Sequence, residues 1–355
     1  MSFLRAVLVA DDLTGSLDSV APLAAMGLIC AVAVVPEAVD AALGLSPDVV
    51  AVNLGTRELA PGIARARAEE ASRLLARAEG PGTVWIKKID SRLKGPISAE
   101  IAGMARVLPV SRVLLCPAIP ELGRKVSQGR LWGSGIERDL PVAATVGASL
   151  PCEVPDATSD AELDRALGRV APGTLLAGAR GLAAAVARRL CPDRRPLSPR
   201  LRQGPMGIVV GSRDPVTLAQ VAMLRAEAGP WWIAAPDGQV PDSMAPGPFL
   251  LQATPGPGAG EPVVAARLAA GVARCLAGLR TLVLTGGETA AAVLDAAGVG
   301  VLRVEGEVLP GLPLCHAADR PDFPEIVTKS GGFGPPDTLL RLWQAAHHPE
   351  GCRST

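Results

Sequence analysis

The chain of 355 residues is long enough for two domains that each bury a core, and its 48% hydrophobic and 20% charged residues are typical of a globular protein. Its formal net charge is zero, so no global field favours a nucleic acid or a membrane surface as partner. Aromatic residues make up only 3% of the chain, which argues against a stacking platform for single-stranded nucleic acid.

The cysteines and the N-terminal residues predict a cytoplasmic protein. The seven cysteines are dispersed and include no CxxC pair, which is typical of reduced, buried thiols. The apolar run at the N-terminus reaches two aspartates after too few residues for a signal peptide. Residues 19–36 carry no charge, but Pro22 and Gly27 divide them. The pattern therefore favours a buried helix followed by a buried strand over a membrane span.

Short β-rich runs alternate with helical patterns in the first half of the chain. The predicted strands are 4–10, 28–35, 48–54, 83–89 and 112–118. They are nearly continuous apolar runs, as expected of parallel strands that are covered on both faces. Residues 61–80 predict a helix, with Pro61 near its start and Gly80 past its end. This alternation predicts an α/β fold with mostly parallel sheets flanked by helices.

Residues 191–206 are rich in proline and arginine and are the predicted linker between two domains, 1–195 and 205–355. The alternation resumes after this segment. The predicted strands are 207–211, 231–235, 249–253 and 281–285, and the predicted helices begin near 215, cover 262–278 and lie near 336–346.

Polar turns follow four of the predicted strands. They read "ADDLTGSLD" (10–18), "KKIDSRLKGP" (87–96), "TGGETA" (285–290) and "KSGGFGPPD" (329–337). Ligands of open α/β sheets bind beyond the carboxyl ends of the strands, so these turns are the candidate sites.

The two later turns have the glycine-rich composition of phosphate-binding loops. Glycine lets backbone N–H groups approach an anion, and the N-terminus of the helix that follows adds about half a positive charge. Glycine turns are also the ordinary connection from a strand to a helix, so each turn alone fits either interpretation. The sequence contains no Gly-Lys dipeptide and no GxGxxG, which excludes a Walker A loop and leaves a dinucleotide fingerprint unsupported.

Asp11 and Asp12 stand together after the first predicted strand, before a helix predicted to begin near Ser16. Such carboxylates serve as a general base, as a magnesium ligand or as a helix cap, although a cap needs only one of them. The charged segment 87–96 is open to two interpretations, a solvated loop or an anion-binding site. The three histidines show no metal-ligand spacing.

Six motifs in matching order carry a resemblance to one known family. They are "ADDLTGSLD", "KKIDSRLKG", "PAIPELGR" (117–124), "VVGS" (209–212), "TGGETA" and "KSGGFG". Together they resemble the four-carbon acid sugar kinases, ATP-dependent enzymes that phosphorylate tetronates, 3-oxo-tetronates and related sugar acids. The match spans nearly the whole chain. It implies an N-terminal domain that holds the sugar acid, a C-terminal domain that holds ATP, and an active site in the cleft between them.

The resemblance also implies roles for individual residues. On the sugar-acid side it implies Asp11, Asp12, Arg57, Lys88, Asp90 and Ser91, with Asp12 as the candidate base and Asp11 as the alternative. Lys87, Arg92 and Lys94 complete the positive turn that would hold the substrate carboxylate and help neutralise the transferring phosphoryl group. On the ATP side it implies Ser212, Gly286, Gly287, Glu288, Thr289, Lys329, Gly331, Gly332 and Gly334. Magnesium would be held chiefly by phosphate oxygens, with Glu288 or Asp337 as a contact.

The chain departs from the family pattern in the positive turn. The family usually reads close to DSTLRGN where this chain has Arg92, Lys94 and Pro96 in place of Thr, Arg and Asn. A binding protein without turnover is therefore one alternative, and a phosphotransferase that works through an aspartyl-phosphate is another. The expected partners are the sugar acid and ATP, with a homodimer as a candidate assembly.

Overall fold

The computed structural model describes residues 3–147, 150–228, 231–242, 244 and 247–347, which form an α/β fold. The chain divides into two compact units, Met1–Leu197 and Ser198–Thr355. In the part of the chain that the structure describes, no helix is both long and apolar enough to cross a bilayer.

The first unit is a parallel sheet covered by helices. Its elements are β1 (Leu4–Ala10), α1 (Leu13–Ala25), β2 (Cys30–Ala33), α2 (Val39–Gly44), β3 (Val49–Asn53), α3 (Pro61–Leu75), β4 (Glu79–Lys88), α4 (Ile97–Met104), β5 (Arg112–Cys116), β6 (Arg124–Ser127), β7 (Arg130–Gly133), β8 (Leu140–Pro141), β9 (Cys152–Glu153), α5 (Asp160–Gly168), β10 (Thr174–Gly178) and α6 (Arg180–Leu190). The sheet has the order β2-β3-β1-β4-β10-β5-β9, and all neighbouring strands are parallel. Strands β6, β7 and β8 form a small separate antiparallel sheet.

The second unit repeats this architecture with an antiparallel addition. Its elements are β11 (Met206–Val210), α7 (Pro215–Ala228), β12 (Trp232–Pro236), β13 (Phe249–Thr254), α8 (Glu261–Ala273), β14 (Thr281–Thr285), α9 (Gly287–Ala296), β15 (Val301–Leu309), β16 (Leu312–Ala317), β17 (Glu325–Lys329) and α10 (Thr338–His347). The order β12-β13-β11-β14-β17 is parallel throughout. Strands β16 and β15 continue the sheet beyond β17 in antiparallel pairing.

Strand β1 and helix α1 show why these residues form these elements. The first unit places β1 between β3 and β4, so apolar side chains on both faces of β1 are buried. Helix α1 is buried along almost its whole length, because it is packed between the sheet and α6. It begins at Leu13, earlier than the predicted start near Ser16, because Asp12 supplies its N-cap.

The helix predicted at 61–80 is shorter than expected. It ends at Leu75 and is followed by a short 3₁₀ turn, Ala76–Ala78. Gly80 lies within β4 rather than beyond a helix, because this segment pairs with the start of β1. Tertiary pairing has therefore overridden the local helical pattern. The sequence patterns also missed the β6-β7-β8 sheet and the β15-β16 hairpin.

Candidate active site

The carboxyl ends of β1, β3 and β4 bring together the charged residues of the first unit. Asp11 and Asp12 follow β1, Arg57 follows β3, and Asp90 follows β4. These strands are adjacent in the order β3-β1-β4 and run parallel, so the residues that follow them meet at one edge of the sheet.

Arg57 is the centre of this group. Its Nε donates to Asp11 Oδ2 at 2.7 Å, and its Nη2 donates to Asp12 Oδ1 at 2.8 Å. Its Nη2 also lies 3.7 Å from Asp90 Oδ1. One guanidinium thus links three carboxylates from two different strand ends. The three neighbouring negative charges raise the pKa of Arg57 further above its usual value, although burial opposes them.

Asp12 caps helix α1 as well as contacting Arg57. Its Oδ1 accepts a hydrogen bond from the Gly15 backbone N–H at 2.9 Å, and its Oδ2 accepts one from Thr14 Oγ1 at 2.7 Å. The helix-cap interpretation of Asp12 therefore describes its geometry. The cap also fixes the orientation of the carboxylate at this edge of the sheet. The Asp12 side chain is 14% exposed there.

Asp11 is more deeply buried and is held ionised by its surroundings. Burial alone would raise the pKa of Asp11, but the charges of Arg57, Lys87 and Lys88 together outweigh burial and lower it. A low pKa makes Asp11 a weak base. Its Oδ1 atom is buried and has no hydrogen-bond donor among the residues that the structure describes.

A fully buried ion pair lies beneath Asp11. Lys87 Nζ is 3.0 Å from Glu100 Oε2 on helix α4, and both side chains are inaccessible to solvent. Thr56 Oγ1 donates to the other oxygen of Glu100. Lys87 Nζ also donates to the carbonyls of Val9, at 3.3 Å, and Lys88, at 2.7 Å. Lys87 is thus hydrogen-bonded in the interior of the unit, and its charge helps to lower the pKa of Asp11.

Glu100 was not among the residues that sequence reasoning selected. Burial raises the pKa of Glu100 above its usual value, and the charge of Lys87 opposes that shift. The available signal was a carboxylate in an otherwise apolar helix, four residues after Pro96 and close to the positive turn. A buried carboxylate must be paired, so a positively charged partner could be predicted. The sequence did not indicate which residue would supply it.

The turn at 90–95 is organised by Asp90. Its Oδ2 accepts hydrogen bonds from the backbone N–H groups of Arg92, at 2.9 Å, and Lys94, at 3.3 Å. Leu93 has a φ of 60° and Gly95 a φ of 86°. The left-handed conformation of Leu93 is strained, and the Asp90 hydrogen bonds on either side hold it. The Lys94 side chain is exposed.

Ser91, in this turn, accepts a hydrogen bond from the buried side chain of Arg124. The sequence analysis named Arg124 only as the last residue of the motif at 117–124. Arg124 Nη1 donates to Ser91 Oγ at 2.6 Å, and its Nε donates to the Ser134 carbonyl at 2.9 Å. A Cβ atom at Gly135 would lie 3.2 Å from Arg92 Nη2 and 3.5 Å from Arg124 Nη2. The two guanidiniums therefore flank Gly135, where a larger residue would crowd them.

Lys88 lies against the start of helix α1. Its Nζ donates to the Ile89 carbonyl at 2.8 Å, and a Cβ at Gly15 would lie only 2.7 Å from it. Asp18, one turn further along α1, is buried, and burial raises its pKa to about 6 although Lys88 and Arg180 oppose the shift. Arg180 at the start of α6 is buried and its Nε lies 3.1 Å from Glu121 Oε1. Neither Asp18 nor Arg180 was selected from the sequence.

In the second unit, the glycine turns after β11, β14 and β17 meet at one sheet edge. Gly286, the N-cap of α9, has a φ of 92°, and a Cβ there would lie 3.5 Å from the Ser212 backbone nitrogen. A Cβ at Gly331 would lie 2.5 Å from Ser212 Oγ. Gly286 has no side chain to cap α9, so the first turn of this helix, Gly287, Glu288 and Thr289, lacks a side-chain acceptor from its cap.

Three side chains, those of Lys329, Thr217 and Gln220, donate hydrogen bonds to the backbone carbonyls of the turn after β17. The carbonyls of Ser330 and Gly331 accept from Lys329 Nζ at 3.0 Å each. Thr217 Oγ1 also donates to the Gly331 carbonyl at 2.7 Å. Gln220 Nε2 donates to the carbonyls of Phe333, Gly334 and Pro335 at 2.9–3.1 Å.

These carbonyl contacts determine where the N–H groups of the turn point. The described chain contains no cis peptide, and in a trans peptide the N–H points away from the carbonyl of the preceding residue. The N–H groups of Gly331, Gly332 and Gly334 therefore face away from Lys329 and Gln220. None of the three donates to an acceptor among the described residues. Such a set of unpaired N–H groups is the geometry that binds anions.

Lys329 supports this turn from inside the unit. It is fully buried, and its Nζ also donates to Thr217 Oγ1 at 2.8 Å. Burial lowers the pKa of Lys329 to about 7, although the charge of Asp214 opposes the shift. Its ammonium group thus orients the carbonyls of the turn and adds a charge that depends on pH near neutrality.

The carboxylates near this turn suit a magnesium ion that is held mainly by phosphates. Asp337 Oδ1 is buried and has no partner in the described part of the chain. Among those residues, no cluster of three or more histidine, cysteine, aspartate or glutamate side chains could hold a metal by itself. A magnesium ion on a nucleotide needs only one or two carboxylates, so Asp337 fits that need.

Two family models match the chain, one in each unit. A sugar-binding N-terminal domain matches residues 6–152, and a nucleotide-binding C-terminal domain matches residues 251–339.

The curated relatives match nearly the whole chain. A D-threonate kinase of Bordetella bronchiseptica is 30% identical, covering 95% of this chain and 96% of the relative. A 3-oxo-tetronate kinase of Methylobacterium radiotolerans is 29% identical, covering 94% of this chain and 97% of the relative. Among solved structures, a Salmonella typhimurium LT2 protein described as a putative tRNA synthase superposes with a TM-score of 0.72 at 21% identity, over 96% of this chain and 99% of that one. At that identity, the last match shows the fold alone.

The buried ion pair generates a prediction about stability. Replacing Glu100 by Gln leaves the Lys87 charge buried without a carboxylate, so we expect Glu100→Gln to lower the free energy of unfolding at pH 7 by about 3 kcal/mol. Urea denaturation measures this change. Glu70→Gln, at an exposed position on α3, is the matched control and should change stability by less than about 0.5 kcal/mol.

The double variant Lys87→Met/Glu100→Leu should recover most of the stability lost in Glu100→Gln, because it removes both charges together. Glu100→Gln with the stability of the parent protein would show that no charged pair exists at this position.

Proposed function

The chain belongs to the four-carbon acid sugar kinase family, and we propose that it transfers the γ-phosphoryl group of ATP to a hydroxyl of a small sugar acid of about four carbons. The observation that carries this proposal is the glycine turn after β17. The backbone N–H groups of Gly331, Gly332 and Gly334 in this turn face away from the side chains of Lys329 and Gln220 and have no acceptor among the described residues. We assign the ATP phosphates to these N–H groups, to the N-terminus of α9 and to Ser212.

The sugar acid is assigned to the first unit. A sugar acid presents one carboxylate and several hydroxyls, so its site needs positive groups and carboxylate acceptors side by side. The edge formed by β1, β3 and β4 supplies both, with Arg57 and Lys88 beside Asp11, Asp12 and Asp90.

Asp12 is the proposed general base for the attacking hydroxyl. It keeps more exposure than Asp11, and its orientation is fixed by its contacts with Gly15, Thr14 and Arg57. Phosphoryl transfer asks the protein mainly for positioning and for stabilisation of charge. MgATP supplies the phosphoryl group, and Asp337 or Glu288 is the proposed protein contact of the magnesium ion.

Two of the three departures from the family pattern, at Pro96 and Lys94, are compatible with this arrangement. Pro96 occupies the N-cap of α4, where a missing N–H removes no helical hydrogen bond. The Lys94 side chain is exposed, and its backbone N–H serves Asp90. These contacts favour a working kinase over a binding protein without turnover.

A coupled assay of ADP release over a panel of four- to six-carbon sugar acids tests the proposed reaction. We expect saturable, acid-dependent ADP release with at least one four-carbon acid, and none with the corresponding uncharged polyol. Binding of both ATP and a four-carbon acid with no ADP release would instead support the binding protein.

Asp12→Asn separates the catalytic role of Asp12 from its capping role. Asparagine caps a helix about as well as aspartate, so the melting temperature should stay close to that of the parent protein. Loss of the base should lower kcat by roughly 10²- to 10⁴-fold, with little change in ATP affinity. Asp40→Asn, at an exposed position on α2, is the control. Near-normal kcat in folded Asp12→Asn would leave Asp12 as a cap only.

Lys329 predicts a pH dependence for nucleotide binding. Its pKa of about 7 means that the free protein loses this charge as pH rises above 7. Bound phosphates favour the charged form, so ADP binding above pH 7 must take up a proton. The Kd for ADP should then rise by up to about tenfold per pH unit above 7, until the pH reaches the pKa of the bound form.

Calorimetry at pH 8 in buffers of different ionisation enthalpy measures the proton uptake. Lys329→Met should abolish it, whereas Lys125→Met, a lysine near Trp132 in the first unit, should not. Equal binding enthalpies of the parent protein in all buffers would remove Lys329 from this role.

A further inference from the structure

The solvent-facing side of helix α7 in the second unit is apolar. Val221 and Leu224, on the opposite side of the helix, belong to the core. Thr217 and Gln220 also lie on the buried side, where they support the turn after β17. The exposed residues that recur at helical spacing are Pro215, Leu218, Ala219, Ala222, Met223 and Ala226. Helices of globular proteins normally direct polar side chains to solvent, so this exposed face indicates an interaction surface.

The apolar surface includes large side chains and extends beyond the helix. Leu218 is 41% exposed and Met223 is 36% exposed. Trp232, at the start of strand β12, is also exposed, and Arg225 Cζ on α7 lies 3.7 Å from the centroid of its ring. Single exposed apolar side chains are ordinary, but a continuous stripe over about three helical turns is typical of a binding surface.

The order of large and small residues along this face is self-complementary. When two copies of a helix pack antiparallel about a twofold axis, positions at equal distances on either side of the axis face each other. An axis near residues 220 and 221 places Leu218 of each copy opposite Ala222 of the other copy. The same axis places Met223 opposite Ala219. Each large side chain then meets a small one, and the alanines allow the two helices to approach closely.

The charges at the two ends of α7 follow the same symmetry. Arg213 precedes the helix, Glu227 lies in its last turn, and both are exposed. They are equally distant from residue 220 in the sequence, so the antiparallel arrangement brings Arg213 of each copy to Glu227 of the other copy. A parallel arrangement would instead bring like charges together. Opposite charges at the rim of an interface favour one orientation over the other.

We propose that the exposed face of α7 is the interface of a homodimer, in which α7 packs antiparallel against α7 of a second copy of this chain. The face matches itself in both size and charge, which selects a second copy over an unrelated partner. A contact of this kind uses the same surface on both copies and is complete with two of them. The interface uses none of the side chains that are assigned to the proposed kinase reaction.

Sedimentation velocity of the full chain over a range of concentrations tests this proposal, and we expect a reversible dimer. Leu218→Glu and Met223→Glu should each raise the Kd of the dimer by about a hundredfold or more, because each dimer would bury two unpaired carboxylates. Val263→Glu, at an exposed apolar position on α8, is the matched control and should leave this Kd unchanged. A parent chain that stays monomeric would overturn the proposal, as would Leu218→Glu and Met223→Glu dimers as stable as that of the parent.

Charge reversal tests the antiparallel pairing. Arg213→Glu and Glu227→Lys each bring like charges together across the interface and should each weaken the dimer by about tenfold. The double variant Arg213→Glu/Glu227→Lys restores opposite charges and should recover most of the lost affinity. Losses that simply add in the double variant would overturn the proposed pairing. If the stripe variants lose their cooperative thermal transition, the charge-reversal variants decide, because they change only exposed side chains. The ADP-release assay tests the kinase reaction separately.

Discussion

The alignment of parallel strands is the constraint on which both units depend. Parallel strands all end at the same edge of their sheet, so residues far apart in the chain meet there without any long-range design. In the first unit this edge brings Asp11 and Asp90 within reach of the Arg57 guanidinium. In the second unit it brings Ser212, Gly286 and Gly331 close together. Parallel strands that are covered on both faces are mainly apolar, so the charged residues of the candidate sites lie at and beyond the strand ends.

Both units use a lysine at the end of a strand to shape the turn that follows. Lys87 and Lys88 close β4, and Lys329 closes β17. Each ammonium group donates to carbonyls of the residues that come next in the chain. A buried ammonium needs such acceptors, and the acceptors in turn fix the peptide planes of the turn. The lysines thereby affect these turns through hydrogen bonds to the backbone as well as through their charge.

Charge balance explains why so many ionisable groups can be close together. Asp11 and Glu100 are both buried, yet Lys87 lies near each of them, and Arg57 neutralises the outer carboxylates. The two carboxyls nevertheless differ in the direction of their pKa shifts. Burial is the largest single effect on both pKa values. At Asp11 three positive groups together outweigh it and the pKa falls, whereas at Glu100 Lys87 does not outweigh it and the pKa rises. Position relative to the charges, and not residue type, decides which effect is larger.

The sequence by itself determined the α/β class, the four polar turns and the family, because these depend on local pattern and on motif order. Apolar runs such as Leu4–Ala10 can be covered on both faces only in a sheet of this kind. The helix predicted at 61–80 was too long. Its last predicted residues belong to β4, which pairs with β1, and no local sequence pattern contains that contact. Strands β6 to β8, β15 and β16 were missed for the same reason, since short antiparallel pairs depend on their partners.

Only the tertiary structure decided which side chains pair with one another. Glu100 lies in a helix beyond the positive turn, and only the tertiary structure places its carboxylate 3.0 Å from Lys87 at the end of β4. Gln220 is an ordinary helical residue in sequence, yet it holds three carbonyls of a turn more than 110 residues away. Sequence motifs predict which residues lie at the end of a strand, because these residues directly follow the strand in the chain. Burial and hydrogen bonding, which set their charge and orientation, come from segments that are distant in the chain.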